Sequence, residues 1–238
     1  MTTATVKCTG EIRRLLLIGL IASVITVLGG ELPIGWVLYP QVEGDVTGLT
    51  GMMLGSAGLS MVQLFCGALF GGICIPLQYY GFEGAARLVE QGGGRKTARL
   101  VHFGALATGF WGGIVHVICV ALMFVCKCTV APGTTAIPQP VMDFTLWLVM
   151  PVSVVFMPVY YAMCIALLIA VVRGRTMLPK WAAVFNPLTG TLALNALPML
   201  LPATKLINGL GMANMGLGSV LTFGGLWWLL RRSDPKAN

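Results

Sequence analysis

Charge is scarce in this chain. Only 10% of its 238 residues are Asp, Glu, Lys or Arg, against roughly 25% in an average soluble domain, and a water-soluble globule is excluded on that ground. Strict apolar/polar alternation is also lacking, which disfavours a transmembrane β-barrel. Two histidines are too few for a multi-histidine haem or iron site, so neither a metal nor a cofactor is expected. There is no H-E-x-x-H, P-loop, G-x-S-x-G, G-x-G-x-x-G or C-x-x-C, which removes zinc proteases, nucleotide-driven pumps and thiol-redox enzymes of familiar design. The formal charge is +7, yet no basic stripe carries interleaved aromatics, and nucleic acid is not an expected partner.

Long apolar runs are what the chain has instead. Hydrophobic residues make up 57% of it, and runs near the ~20 residues needed to cross a bilayer recur from end to end. The pattern predicts an all-α, polytopic membrane bundle forming one domain over 1–238. Six spans are expected, at about 13–30, 54–79, 101–125, 144–172, 182–202 and 206–230. Arg13-Arg14 followed by LLLIGLIASVITVLGG has the look of a signal peptide, but no A-x-A-like site follows, and the first helix is expected to be retained. Lys and Arg near span ends stay cytoplasmic. Lys7, Arg13, Arg14, Arg87, Arg95, Lys96, Arg99, Arg173, Arg175, Lys180, Arg231, Arg232 and Lys236 all fall on one side, and only Lys127 and Lys205 on the other. Both termini are therefore expected in the cytoplasm, with the cell inner membrane as the location. Glu11, Glu83, Glu90 and Asp234 sit among those bases, whereas Glu31, Glu43, Asp45 and Asp143 face outward with few bases to neutralise them.

Ionisable groups at membrane depth are expensive, so each is a candidate for function. His116, near the middle of the third span, suits acid/base work or ligand orientation. His102, at the cytoplasmic edge, reads as interfacial. Glu31 ends the first span just before Leu32-Pro33, where a carboxyl held beside apolar helices can exchange a proton. Glu31 and His116 are the candidate catalytic pair. Glu43 and Asp45 read as solvated loop residues. Thr191 and Asn195 share a helix face, and Asn186-Pro187 reads as a turn or cap. Lys205 and Asn208 lie near the outer boundary, where Lys205 could pair with Glu31 or Asp143. Tyr160 lies near mid-depth, where a hydroxyl needs a partner. Thr191, Asn195, Lys205, Asn208, Tyr160 and Asp143 are the candidate ligand-binding residues. Proline at 151, 158, 187, 198 and 202 should kink or break the fourth and fifth spans and free carbonyls to line a cavity. The Gly51/Gly55, Gly67/Gly71 and Gly109/Gly113 pairs allow close helix approach. Cys126-Lys127-Cys128 reads as structural rather than as a metal motif or disulfide.

GGELPIGW (29–36), PLQYYGFEGAARLVE (76–90), FGALATGFWGGIVHVICVALMF (103–124) and LPKWAAVFNPLTG (178–190) together resemble uncharacterised multi-pass bacterial membrane families of unknown function. The resemblance implies no activity. The residues themselves point to an outward-facing pocket that binds or transforms a small lipophilic molecule. The alternatives are a small proton-coupled carrier, which a homodimer would complete, and a structural or assembly subunit; membrane lipids are the expected partners in every case. Spans one to three show no match to four to six, which counts against matched carrier halves.

Overall fold

The computed structural model describes residues 3–232. Asp234 and Lys236, with the side chains of Lys7, Cys8 and Pro198, lie outside the described residues. Backbone amides in a chain this apolar have little water to bond and must bond one another, which a helix does within one segment. The described residues accordingly form helices and no strand.

The first helix, α1 (Thr3–Ile25), widens into a π turn at Thr26–Glu31 and ends in one helical turn, α2 (Leu32–Gly35). A short α3 (Leu49–Ser56) precedes α4 (Met61–Leu77) and α5 (Tyr79–Gln91). Next come α6 (Arg95–Ala107), a π turn at Thr108–Gly112 and α7 (Gly113–Thr129). They are followed by α8 (Gln139–Phe144), a π turn at Thr145–Val149 and α9 (Met150–Val172). A 3-10 turn at Lys180–Val184 leads to α10 (Pro187–Leu200), α11 (Lys205–Met212) and α12 (Asn214–Arg232). Four stretches are long and apolar enough to cross a membrane: Gly10–Gly35, Met61–Gln91, Arg95–Thr129 and Gln139–Val172. The pair α11 and α12, bent by 64°, makes a fifth if it is one span.

Proline accounts for two of the widened turns. Pro33 has no N–H for the carbonyl four residues back and its ring crowds that carbonyl. The ladder slips by one residue, and the Leu32 N–H bonds the Val27 carbonyl. The same slip precedes Pro151, where the Met150 N–H reaches the Thr145 carbonyl.

The expected fifth span, 182–202, is where the fold departs most from the sequence reading. At 14 residues, α10 is roughly 21 Å long at 1.5 Å per residue, short of a hydrocarbon core of about 30 Å. The cause is Asn186-Pro187, which does act as a cap. Asn186 Oδ1 accepts the Leu188 N–H at 3.0 Å and its Nδ2 donates to the Cys164 carbonyl at 3.0 Å, while Pro187 opens the helix where a missing N–H costs nothing. The break expected at position 198 does not occur, since α10 continues to Leu200. Nor does the second span start at 54. Residues 49–56 form their own helix, and α4 starts afresh on a capping box in which the Ser60 and Gln63 side chains bond each other's backbone N–H at 3.2 and 2.9 Å.

Close crossings hold the bundle together. Gly19 of α1 meets Gly81 of α5 so closely that a Cβ on Gly19 would fall against the Gly81 backbone, an approach open only to glycine at both positions. Beside it Phe223 stacks edge-on against Phe82 at 4.8 Å, and Phe82 against Tyr160 at 6.4 Å. This is the main core, and it reaches through Leu16, Ile12, Val89, Val171 and Leu230 to one end of the bundle. That end gathers charge: Arg87 bridges Glu11 at 2.6 Å and Glu83 at 2.9 Å, His102 bonds Glu83, and Arg231 and Arg232 lie over Trp227 and Trp228. Smaller apolar clusters close the other end, one around Ile34, Leu64 and Val120, another around Met53, Leu122 and Val141. Between the main core and these clusters a cavity is left.

Candidate functional site

The cavity has a volume of about 700 Å³, within the range of small-molecule sites. Most of its wall is apolar, with Ile75, Val115, Met123, Phe156, Met212 and Met215 prominent. Polar groups enter where helices lose their regularity.

Glu31 closes the widened turn of α1. It is buried, and its Oε2 lies against Gly216 in the first turn of α12, where a Cβ would coincide with it. That oxygen has no hydrogen-bond partner. Tyr160 projects from α9, stacked at 5.8 Å on Phe156, and its hydroxyl, fully buried, is also unpartnered. Tyr39 comes from the loop after α2; its hydroxyl has no partner either, and burial pushes this phenol up to about 12. These three are the buried side-chain polar atoms without a partner among the described residues, and all three residues line the one cavity. Buried polar atoms in folded proteins are nearly always bonded, so an unpaired set gathered in one place calls for an explanation.

His116 lies on the wall formed by α7 and α4. Its ring covers Gly71, which has no side chain to obstruct it, and Nε2 sits 3.1 Å from the Gly67 carbonyl. A carbonyl only accepts, so Nε2 carries the proton; in the neutral ring Nδ1 is then a lone-pair acceptor. Asn208 Nδ2 donates to the Val37 carbonyl at 2.7 Å and ties the loop after α2 to α11. Asn214 Nδ2 donates to Asn195 Oδ1 at 2.6 Å and to the Gly211 carbonyl at 2.8 Å, joining α10, α11 and α12 at their break. Gln78 donates to Thr26 Oγ1 at 3.4 Å across α1 and α4.

Of the residues singled out in the sequence, Glu31, His116, Tyr160, Asn195 and Asn208 line this cavity. No hydrogen bond joins Glu31 to His116, and any exchange between them would pass through a molecule in the cavity. The other three lie elsewhere. Thr191 is buried between α10 and α12, its hydroxyl 3.5 Å from the Asn214 carbonyl. Asp143 is exposed and accepts the Gln139 amide at 2.7 Å. Lys205 is exposed at the start of α11 and forms no ion pair with Glu31 or Asp143. Asp45 is more than a solvated charge, because its Oδ2 accepts the Gly51 N–H at 2.8 Å and anchors α3 to the loop. Cys126 is buried and Cys128 exposed, and both are free. Sequence reasoning missed Tyr39, Gln78, Asn214 and Gly216 as wall residues. The only advance signal was the Pro40 and Gly-rich punctuation around Tyr39, which marks a loop without saying where it folds.

The fold and its apolar helices thus define a helical bundle of the kind suited to a membrane. Residues 1–233 match the family described as "Family of unknown function (DUF6796)". The chain belongs to that family. No curated protein and no solved structure matches it.

Proposed function

We propose that this chain is a multi-pass protein of the cell inner membrane, with six crossings and both termini cytoplasmic, whose cavity binds or transforms a small lipophilic molecule. The observation that carries the ligand reading is that the three residues with a buried, unpartnered side-chain oxygen, Glu31, Tyr160 and Tyr39, all belong to the lining of one largely apolar cavity. Leaving each such atom unpaired costs about 1–3 kcal/mol, and a bound molecule with its own donors would recover that cost. In an enzyme, Glu31 and the His116 Nδ1 lone pair would act as the acid/base pair on a molecule between them. A structural subunit gains nothing from three unsatisfied groups, and the assembly reading is weaker for it.

Parity supports six crossings. The start of α1 and the end of α12 share the charged end of the bundle, where Arg87 holds Glu11 and where Gly92 packs on the backbone of Arg175. That arrangement favours an even number, with the broken stretch from Lys180 through α10 as the sixth crossing. The capped break at Asn186-Pro187 and the 64° bend between α11 and α12 favour a second reading, a small carrier in which a homodimer supplies the other half.

Mass spectrometry of molecules extracted from the purified protein tests the first reading. A species co-purifying with the wild type should be lost from both Glu31→Gln and His116→Ala. Identical extracts from all three proteins would refute a ligand in this cavity.

A further inference from the structure

We infer that the ligand of this cavity is a lipophilic organic cation, a protonated amine on an apolar body, with its ammonium group at Glu31. This rests on the pocket reading above and adds the charge of the molecule.

The wall has one sign. Glu31 is its sole carboxylate, and among the described lining residues there is no lysine or arginine. Lys205, which the sequence offered as a partner for Glu31, stands exposed outside the cavity. His116 spends its Nε2 proton on the Gly67 carbonyl, so what it can offer a ligand is an acceptor. Asn208 and Asn214 spend their amide donors on backbone carbonyls and on Asn195. What remains for an incoming molecule is a carboxylate oxygen, a histidine lone pair, two phenolic hydroxyls that can accept as well as donate, and the amide N–H groups of Asn195, whose Oδ1 is taken by Asn214.

An anion would find no countercharge here and would face Glu31. A neutral apolar molecule would fill the volume but offer the carboxyl neither a donor nor a countercharge. An ammonium group completes Glu31 with a charge-assisted hydrogen bond. The remaining walls also suit a cation on an apolar body: Phe156 and Tyr160 are aromatic lining residues, and Met123, Met212 and Met215 supply polarizable thioethers for an aliphatic or aromatic body.

The test uses one skeleton in three charge states. 4-Phenylbutylamine, 4-phenylbutan-1-ol and 4-phenylbutyrate are titrated by equilibrium dialysis into the full-length protein in phosphatidylcholine nanodiscs, with empty discs as the partition control. The amine should bind at least ~10-fold tighter than the alcohol, with no saturable binding of the butyrate, a ratio worth about 1.4 kcal/mol. Glu31→Gln should bring the amine to within about threefold of the alcohol. Saturable binding of the alcohol with no preference for the amine, or a preference for the butyrate, overturns the cation and leaves a lipophilic pocket standing. Absence of saturable binding by all three overturns both. If Glu31→Gln does not fold, the three-probe comparison on the wild type decides.

Discussion

Gly71→Ala adds one methyl group, and the structure says where it must go. A Cβ at this position would fall into the His116 imidazole, onto Cδ2 and Nε2, which cannot yield without leaving the Gly67 carbonyl it bonds at 3.1 Å. Losing that bond in a buried site costs about 1–3 kcal/mol, and overpacking a filled contact typically costs about 1–3 kcal/mol more. Alanine is the better helix former by roughly 0.5–1 kcal/mol, which offsets part of this. The net is a destabilisation of about 2–4 kcal/mol. At roughly 2–4 °C per kcal/mol for a chain of this size, the melting temperature should fall by about 5–15 °C. The assay is a thiol-dye or tryptophan-fluorescence melt of detergent-solubilised protein at fixed scan rate, run as a double-mutant cycle with His116→Ala. With the ring gone the three atoms nearest the new methyl are removed, and Gly71→Ala should then be neutral or mildly stabilising. Equal cost in both backgrounds would refute the placement of His116 over Gly71, since residues in direct contact must couple and independent ones add.

Three further outcomes follow from local geometry. Asn186→Ala removes the α10 cap and leaves the Cys164 carbonyl without its donor; a loss of about 2 kcal/mol is expected, and a melt within 1 °C of wild type would refute the cap. Tyr39 ionises at about 12 in the folded protein against about 10 when unfolded; because the unfolded chain gives up its proton first, the contribution of Tyr39 to stability is constant below pH 10 and declines as pH rises from 10 to about 12. Tyr39→Phe should flatten that decline in alkaline melts, and an unchanged slope would argue that the phenol is solvated. In the six-crossing topology the exposed Cys128 faces away from the cytoplasm, so a membrane-impermeant maleimide should label it in intact spheroplasts but not in Cys128→Ala. Labelling only after lysis would invert the orientation.

The class of fold was legible because composition alone leaves few options: a chain with so little charge and so many apolar runs buries its backbone in helices. Glu31 and His116 were legible for the same reason, as rare ionisable groups at membrane depth. Tyr160 and the two asparagines followed from the same rule of expensive polarity. Lys205, Asp143 and Thr191 lie outside the cavity lining, since proximity to a span end does not say which way a side chain turns. Lys205 caps no charge and lies in solvent, while Thr191 spends its hydroxyl between two packed helices. The length of the fifth span was misread because an apolar count over 182–202 does not register that Asn186 bonds both its own helix and α9. Tyr39, the second unpaired hydroxyl, was invisible in principle, since its position depends on a loop held by the long-range bond from Asn208 to Val37.

The irregular backbone and the cavity are one feature. At membrane depth non-helical or widened backbone is tolerated where it is buried in protein or lines a cavity, and π turns inside α-helices are found disproportionately at functional sites. Here the widened turn at Thr26–Glu31 delivers Glu31, the one at Thr108–Gly112 delivers Thr108 and Gly112, and the bend between α11 and α12 delivers Asn214, Met215 and Gly216 to the same space. The third widened turn, Thr145–Val149, is the exception: it follows from Pro151 and turns Trp147 outward. Straight helices with the same residues would carry Glu31 and Gly216 past one another and close the volume between them. A chain selected only to pack would be better served by that closure, which is why three interruptions meeting around a carboxyl, a histidine and two phenols favour an occupied site over a purely structural bundle.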